Sequence, residues 1–227
     1  MNLIERKPEL AKKLTQILKN KNSYLRDHGF TSVIQFEIDK FPLNLKTLYP
    51  EYPKFVLEIG SGWGEFTNKY ASLHSDSLII ALEKKKYRIK KSAKDQAREK
   101  NNNIRWMVLD LDWYFTGLFA KHSFDKIIIN FPDPWPKKRH HKHRFIRKEL
   151  IEEIYNICKH GATIEYATDF WPYMEAAAKL FEKNGNWKNN DGKFIISRKI
   201  PNRPVSFFES TKKEEGENTY FLTLTKV

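Results

Sequence analysis

The apolar positions of this chain fall into short continuous runs separated by longer stretches in which apolar and charged residues alternate at helical spacing. Lys54–Gly60, Ser77–Glu83, Asn103–Asp110, Phe124–Phe131 and Ala162–Asp169 are such runs and read as buried strands. Between them, Glu65–Leu73, Lys84–Lys100, Asp112–Phe119 and Phe145–His160 predict helices. In the last of these, Ile146, Leu150, Ile154 and Ile157 share one face, and Gly161 is placed to stop it. Pro172 suits the first turn of a further helix and Gly185 its end. Phe194–Lys199 and Thr219–Thr225 read as two closing strands. Near the start, Leu10, Leu14, Ile17 and Leu18 recur at helical spacing and predict an amphipathic helix over about Pro8–Asn20. That helix is either packed on the domain or a basic arm that orders on a partner. Residues 31–53 carry Phe36, Ile38 and Phe41 without a clear period.

Strands alternating with helices imply an α/β fold: a mostly parallel seven-stranded sheet, helices on both faces, and an antiparallel edge where the last two strands follow each other closely. Residues 1–30 form a basic N-terminal helix or arm, and residues 31–227 a single domain. Open sheets of this kind bind ligands outside the carboxyl ends of their strands. Glu58, Glu83, Asp110, Asp133 and Asp169 all fall at or near those ends.

Five acids on one rim stand out because the chain as a whole is strongly basic. It has 227 residues, a formal charge of +13 and a pI near 9.6. Such a balance favours anionic partners, nucleic acid first and an anionic membrane surface second. The cations cluster in Lys84–Lys94 and again in Lys137–Arg144. Hydrophobic residues make up 40% of the chain, so it is expected to fold rather than stay disordered. No apolar run is long enough to cross a bilayer. The N-terminus carries an acid early and no apolar core of a secretory signal, and the one cysteine, Cys158, excludes an internal disulfide. These features together suggest a cytoplasmic protein. No interface pattern decides between monomer and homodimer.

The candidate chemistry sits in two places. Gly60-Ser-Gly-Trp-Gly64 follows a strand, and Gly62 and Gly64 let backbone approach a ligand. Glu65 occupies the position of the last glycine of the dinucleotide fingerprint, which argues against an NAD site. Glu83, ending the second strand, is placed to accept both ribose hydroxyls of an adenosine ligand, or to offset the dipole of the next helix. Glu58 is a carboxylate inside a buried turn and needs partners or a cation. Adenosine beside acids rather than lysines points to S-adenosylmethionine, whose sulfonium and ammonium are cationic. Asp110 could bond the adenine amino group or cap the following helix.

The second place is Asn130-Phe-Pro-Asp-Pro-Trp-Pro-Lys-Lys-Arg-His-His-Lys-His-Arg144. Three prolines predict a stiff extended loop that presents one acid, Asp133, beside a positive patch. A solvated, proline-rich surface turn is the alternative. Trp135 either stacks on a base or packs within the loop. His140, His141, His143 and Cys158 match no common zinc spacing and lie in a run that repels cations, so no metal is expected.

Together, Leu57-Glu-Ile-Gly-Ser-Gly-Trp-Gly64, the segment Asn130–His140 and Ala167-Thr-Asp169 resemble the tRNA (guanine-N7-)-methyltransferase family over roughly residues 54–225. Arg203-Pro-Val-Ser-Phe-Phe-Glu209 resembles the family's Arg-Pro-x-Thr-x-Phe-Glu. Ser206 stands where threonine is usual and keeps the hydroxyl. Phe207 replaces a residue that is often polar, and Pro136 replaces the histidine of some members. The resemblance implies a Rossmann-like class I methyltransferase fold, S-adenosylmethionine as cofactor, and tRNA as partner, methylated on N7 of a variable-loop guanine, position 46. It implies Glu58, Gly60, Gly62, Glu83, Asp110 and Asp133 around the cofactor, with Asp133 at the reaction centre. It further implies Lys137, Asp169 and the segment Ser206, Phe207, Phe208 and Glu209 around the target guanosine. Arg139, His140, His141, Lys142, His143 and Arg144 then read as a clamp on the RNA backbone. Another RNA or DNA methyltransferase, and a basic RNA-binding protein with an inactive cofactor fold, are the alternatives.

Overall fold

The structure, a computed structural model, describes residues 8–34, 42–109, 117–193 and 195–227. The backbone gathers into two compact units, Met1–Ser123 and Phe124–Val227. Among the described residues, seven strands follow the order β3-β2-β1-β4-β5-β7-β6 in one sheet.

In the first unit, helix α1 spans Pro8–Asp27 and a single helical turn, α2, spans Leu45–Leu48. Strand β1 (Lys54–Ile59) leads into helix α3 (Glu65–Leu73), β2 (Ser77–Glu83) into α4 (Lys86–Glu99), and β3 (Ile104–Val108) lies beyond β2. All three strands are parallel. Each is an apolar run because both its faces are covered: every residue of β2 is buried. Gly64 has φ +80°, and a Cβ there would stand 2.6 Å from Ser92 Cβ and 2.8 Å from Trp106. Its lack of a side chain is what lets the β1–α3 turn close against α4 and β3.

The N-terminal helix runs seven residues beyond the expected end and packs on the domain. Leu18, Asn22 and Leu25 are buried at helical spacing; the side chains of Leu10 and Leu14 lie outside the described residues. Asn22 Nδ2 donates to Val108 O at 3.2 Å, and Asn22 Oδ1 accepts from Val108 N at 2.9 Å. The amide thus completes the edge of β3 where, among the described residues, no further strand pairs with Val108. Asn22→Ala is expected to lower stability by about 1–3 kcal/mol in urea unfolding, the cost of unsatisfied buried polar groups. A matched surface change, Lys21→Ala, is expected to leave the midpoint in place.

In the second unit, β4 (Phe124–Asn130) and β5 (Cys158–Thr168) are parallel, joined through helix α5 (Lys148–Ile157). Helix α6 (Trp171–Asn184) follows, then the short strand β6 (Trp187–Asn189), helix α7 (Phe207–Glu214) and β7 (Tyr220–Lys226). Strand β7 runs antiparallel to both β5 and β6. Pro172 lies in the first turn of α6 and Gly185 closes it at φ +75°, as the sequence suggests.

Three expectations are corrected. The sixth strand is Trp187–Asn189, not Phe194–Lys199; Ser197 makes only an isolated bridge to Phe221, and Phe194 lies outside the described residues. Gly161 does not stop a helix. Helix α5 ends at Ile157, and Gly161 sits inside β5 at φ +73°, where the register with β4 shifts. Of the expected helix Asp112–Phe119, residues 112–116 lie outside the described residues, and Gly117–Phe119 are not helical.

Candidate functional site

The first unit builds a glycine turn backed by two buried acids. Gly60 N and Ser61 N both donate to Leu82 O at 2.9 Å, so the turn is fastened to the end of β2. Gly60, Gly62 and Gly64 have positive φ, and no atom stands within 4 Å of where a Cβ would sit on Gly60 or Gly62. Glu58 is 2% exposed and accepts from Thr67 Oγ1 on α3 at 2.5 Å. Glu83, also buried, accepts from Gly62 N at 3.2 Å and from Lys85 N at 2.8 Å. Arg88 Nη1 lies 3.6 Å from Glu83 Oε2. Glu83 therefore satisfies an amide at the start of α4 and braces the glycine turn. A carboxylate has about four lone-pair sites, and the two amides use two of them. Ser61 Oγ is buried without a hydrogen-bond partner among the described residues. Asp110 lies outside those residues; Leu109 N donates to Glu83 O at 3.1 Å, so the chain just before it runs beside Glu83.

The second unit presents Asp133. Asp133 is exposed and makes no hydrogen bond or ion pair with a described residue. The loop around it is not simply extended. Phe131 (φ +46°) and Trp135 (φ +43°) take left-handed backbone on either side of Pro132-Asp133-Pro134. Such conformations cost a bulky residue energy and persist where surrounding structure enforces them. The enforcing contacts are visible: Phe131 N donates to Ala167 O at 2.8 Å, and Arg144 Nε donates to Pro134 O at 3.0 Å.

That second bond involves Arg144, expected on the RNA backbone. It is 8% exposed, with its guanidinium over the Tyr173 ring at 5.0 Å, a placement that braces the loop. Lys137, Arg139, His141 and His143 are exposed, and His140 is half-buried; the side chain of Lys142 lies outside the described ones. Trp135 packs within the loop, its ring 5.1 Å from His143 and 5.7 Å from His140. Burial pushes the Cys158 thiol up to about 12, so it is not ionised at neutral pH.

A frame behind the loop is the feature sequence reasoning missed. Arg203, 4% exposed, donates to Glu209 Oε2 at 2.8 Å and to Asn130 Oδ1, and its Nε lies 3.7 Å from Glu165. It ties the last residue of β4 to β5 and α7. Lys213 takes the other oxygen of Glu209 at 2.6 Å. Ser206 Oγ caps α7 by accepting from Glu209 N at 3.1 Å. Ser206 and Glu209, expected at the guanosine, are thus buried within the frame, with their polar atoms already partnered. Phe207 and Phe208 are the outward members of the segment, 69% and 43% exposed, and the Phe208 ring lies 4.9 Å from Phe131. Asp169 follows β5, half-buried, without a hydrogen bond to a described residue.

A sheet in this strand order, with a glycine turn and acids at the carboxyl ends of β1 and β2, defines a class I methyltransferase. Solved structures bear out the fold: a 16S rRNA methyltransferase, KamB, aligns with TM-score 0.61 at 18% identity, over 80% of this chain and 92% of that one. An antibiotic-related methyltransferase aligns with TM-score 0.61 at 14% identity, over 86% and 96%. Residues 53–222 match a family described as "Putative methyltransferase". The chain is 31% identical over 171 residues to the tRNA (guanine-N(7)-)-methyltransferase of Leptospira interrogans, covering 75% of this chain and 78% of that protein. The enzyme of the same name from Nitrosomonas europaea is 28% identical over 202 residues, covering 88% and 89%. The chain belongs to the tRNA (guanine-N7-)-methyltransferase family.

Proposed function

We propose that the protein methylates N7 of a guanine in tRNA, at position 46 of the variable loop, with S-adenosylmethionine as donor. The observation that carries this reading is Asp133, an exposed carboxylate with no partner among the described residues, held out between two left-handed residues on the family's proline loop.

The residues of the first unit suit the donor. Among the described residues, Ser61 Oγ lacks a partner and space is open over Gly60 and Gly62, and Glu83 keeps acceptor sites for two ribose hydroxyls. Glu58 supplies negative charge near a cationic ligand, and Asp110 an acceptor for the adenine amino group. When bound, S-adenosylmethionine supplies a methyl group on a positively charged sulfur. Guanine N7 accepts that methyl with its lone pair as the sulfur–carbon bond breaks, so no proton need be removed. The protein's work is orientation and stabilisation of a positive charge that passes to the purine. Asp133 performs it as a fixed carboxylate, not as a base. Asp169 accepts from the N1–H and N2 donors of guanine, which adenine lacks. Phe208, backed by Phe131, offers an aromatic face to a nucleobase turned out of its stack. Lys137 neutralises a phosphate, and Arg139, His140, His141, Lys142 and His143 contact the backbone further along.

The test is transfer of labelled methyl to an unmodified tRNA transcript beside a twin with adenine at position 46. Label on the first alone, with aniline cleavage at that base, is expected. Equal labelling of both would overturn the site, and no label on either would overturn the reaction. Glu83→Gln is expected to raise the KM for S-adenosylmethionine about 10- to 100-fold, the weight of lost charge-assisted hydrogen bonds. The kcat at saturating donor should change much less.

A further inference from the structure

The first unit contains a large open cavity that neither the cofactor residues nor the proline loop uses. Its volume is about 1010 Å³, and its lining includes Arg26, Tyr49, Lys94, Lys100, Asn102 and Arg105. It lies at the opposite end of the strands from the glycine turn. Arg105 pairs in register with Ile80, whereas Val108 pairs with Glu83, which puts Arg105 three residues, roughly 10 Å, behind the acid rim.

Its chemistry is one-sided. Four cations line it, and no carboxylate does among the described lining residues. Two of the cations are held in place by backbone carbonyls. Arg26 Nη1 donates to Thr31 O at 2.8 Å and to Val33 O at 2.7 Å, and Arg105 Nη1 donates to Asn102 O and Ile104 O at 2.9 Å. The Arg105 guanidinium also lies over the Tyr49 ring at 5.0 Å. The other two, Lys94 and Lys100, are exposed on α4 and just past it, and their ammonium groups make no hydrogen bond or ion pair with a described residue. Like charges gathered without acids repel one another in the unliganded protein. A polyanion relieves that repulsion, and fixed guanidiniums beside mobile ammoniums suit phosphodiesters rather than a single small anion. Tyr49 backed by Arg105, with the Asn102 amide near it, adds a stacking face and hydrogen-bonding groups for a nucleotide.

We infer that this cavity is a second RNA subsite, taking backbone phosphates of the tRNA at a distance from the methylated base. The inference rests on tRNA being the substrate. It makes the first unit a binding surface at both ends: one for the donor, the other for a remote part of the acceptor.

The test is the double variant Lys94→Glu/Lys100→Glu, with Lys94→Gln/Lys100→Gln to separate reversed charge from lost charge. Affinity for a tRNA transcript is measured by filter binding between about 50 and 300 mM salt, beside melting temperature and turnover. Lys94 is exposed on α4 and Lys100 just past its end, so folding is expected to be unchanged. The glutamate pair should weaken tRNA binding about tenfold at low salt. Loss of two phosphate contacts should flatten the slope of log affinity against log salt by about one to two. The kcat at saturating tRNA and the affinity for S-adenosylmethionine should stay native. Native affinity and slope in both variants would overturn the subsite, whatever the methylation result. An altered sedimentation mass with native RNA affinity would also overturn it, giving the cavity to a second copy of the chain. Weakened RNA binding in a protein that methylates no tRNA would uphold the subsite and reject the proposed reaction, so the two readings fail separately.

Discussion

Asp133→Ala is expected to slow methyl transfer to a tRNA transcript by about a hundred- to a thousandfold, the loss typical when one preorganised charge-stabilising group is removed. The affinity for tRNA should change by no more than a few-fold, because the phosphate contacts proposed for Lys137 to His143 lie elsewhere. The melting temperature should not move, since the exposed Asp133 side chain makes no hydrogen bond or ion pair with a described residue that folding could lose. That combination is what separates this carboxylate from its neighbours. Arg144 and Phe131 hold the loop and would report on stability when changed; Asp133 is held by the loop and would report on chemistry alone. Asp133→Asn sharpens the point. It keeps the shape and one acceptor but removes the charge, so a loss close to that of alanine assigns the effect to electrostatics. Single-turnover rates with saturating tRNA and donor are the measurement, and near-native turnover in the alanine variant would remove Asp133 from the reaction centre.

Much of the fold and of the donor site is legible in the amino-acid sequence because the relevant signals are local. Lys54–Ile59 and Ser77–Glu83 are continuous apolar runs ended by turn residues, and a strand covered on both faces has no other way to be written. Gly60, Gly62 and Gly64 mark a turn because only glycine takes repeated positive φ without strain. The features that escape a sequence reading depend on partners distant along the chain. Phe194-Ile-Ile-Ser197 has the composition of a strand, yet β7 pairs with Trp187–Asn189, where Trp187 is buried, and leaves Ile195 51% exposed. Gly161 carries a helix-stop signature, but the same left-handed backbone serves a shift of register within β5. Arg144 reads as one more cation in a solvated run. Its burial against Tyr173 follows from how α6 packs, which the run itself does not encode. Helix α7 carries a local signal of its own. Ser206-x-x-Glu209 is a capping-box pattern, and the hydroxyl does accept from Glu209 N. The pattern sets the helix start and leaves Phe207 and Phe208, between its two ends, exposed.

Arg203→Ala is expected to be the most damaging single change in the second unit. It would leave Glu209 and Glu165 buried at 4% and 10% side-chain exposure, without the guanidinium that faces both. Breaking a buried pair by removing one partner costs about 3–5 kcal/mol, because a charge is left uncompensated in a medium that solvates it poorly. Lys213 still reaches Glu209 and Lys126 still reaches Glu165 Oε1, each at 2.6 Å, so each acid keeps one counter-charge and the cost should fall at or below the lower end of that range. The loss of activity should exceed what unfolding explains. Arg203 also donates to Asn130 Oδ1, and Asn130 is the last residue before the loop that carries Asp133. Arg203→Lys restores a charge but not a planar fork, and one ammonium cannot meet Asn130, Glu165 and Glu209 in the geometry of five fixed donors. The lysine variant should therefore recover most of the stability in urea unfolding while kcat stays low and the KM for tRNA stays near native. That split is the signature of a positioning residue. Recovery of stability and kcat together would make Arg203 a structural counter-ion and nothing more.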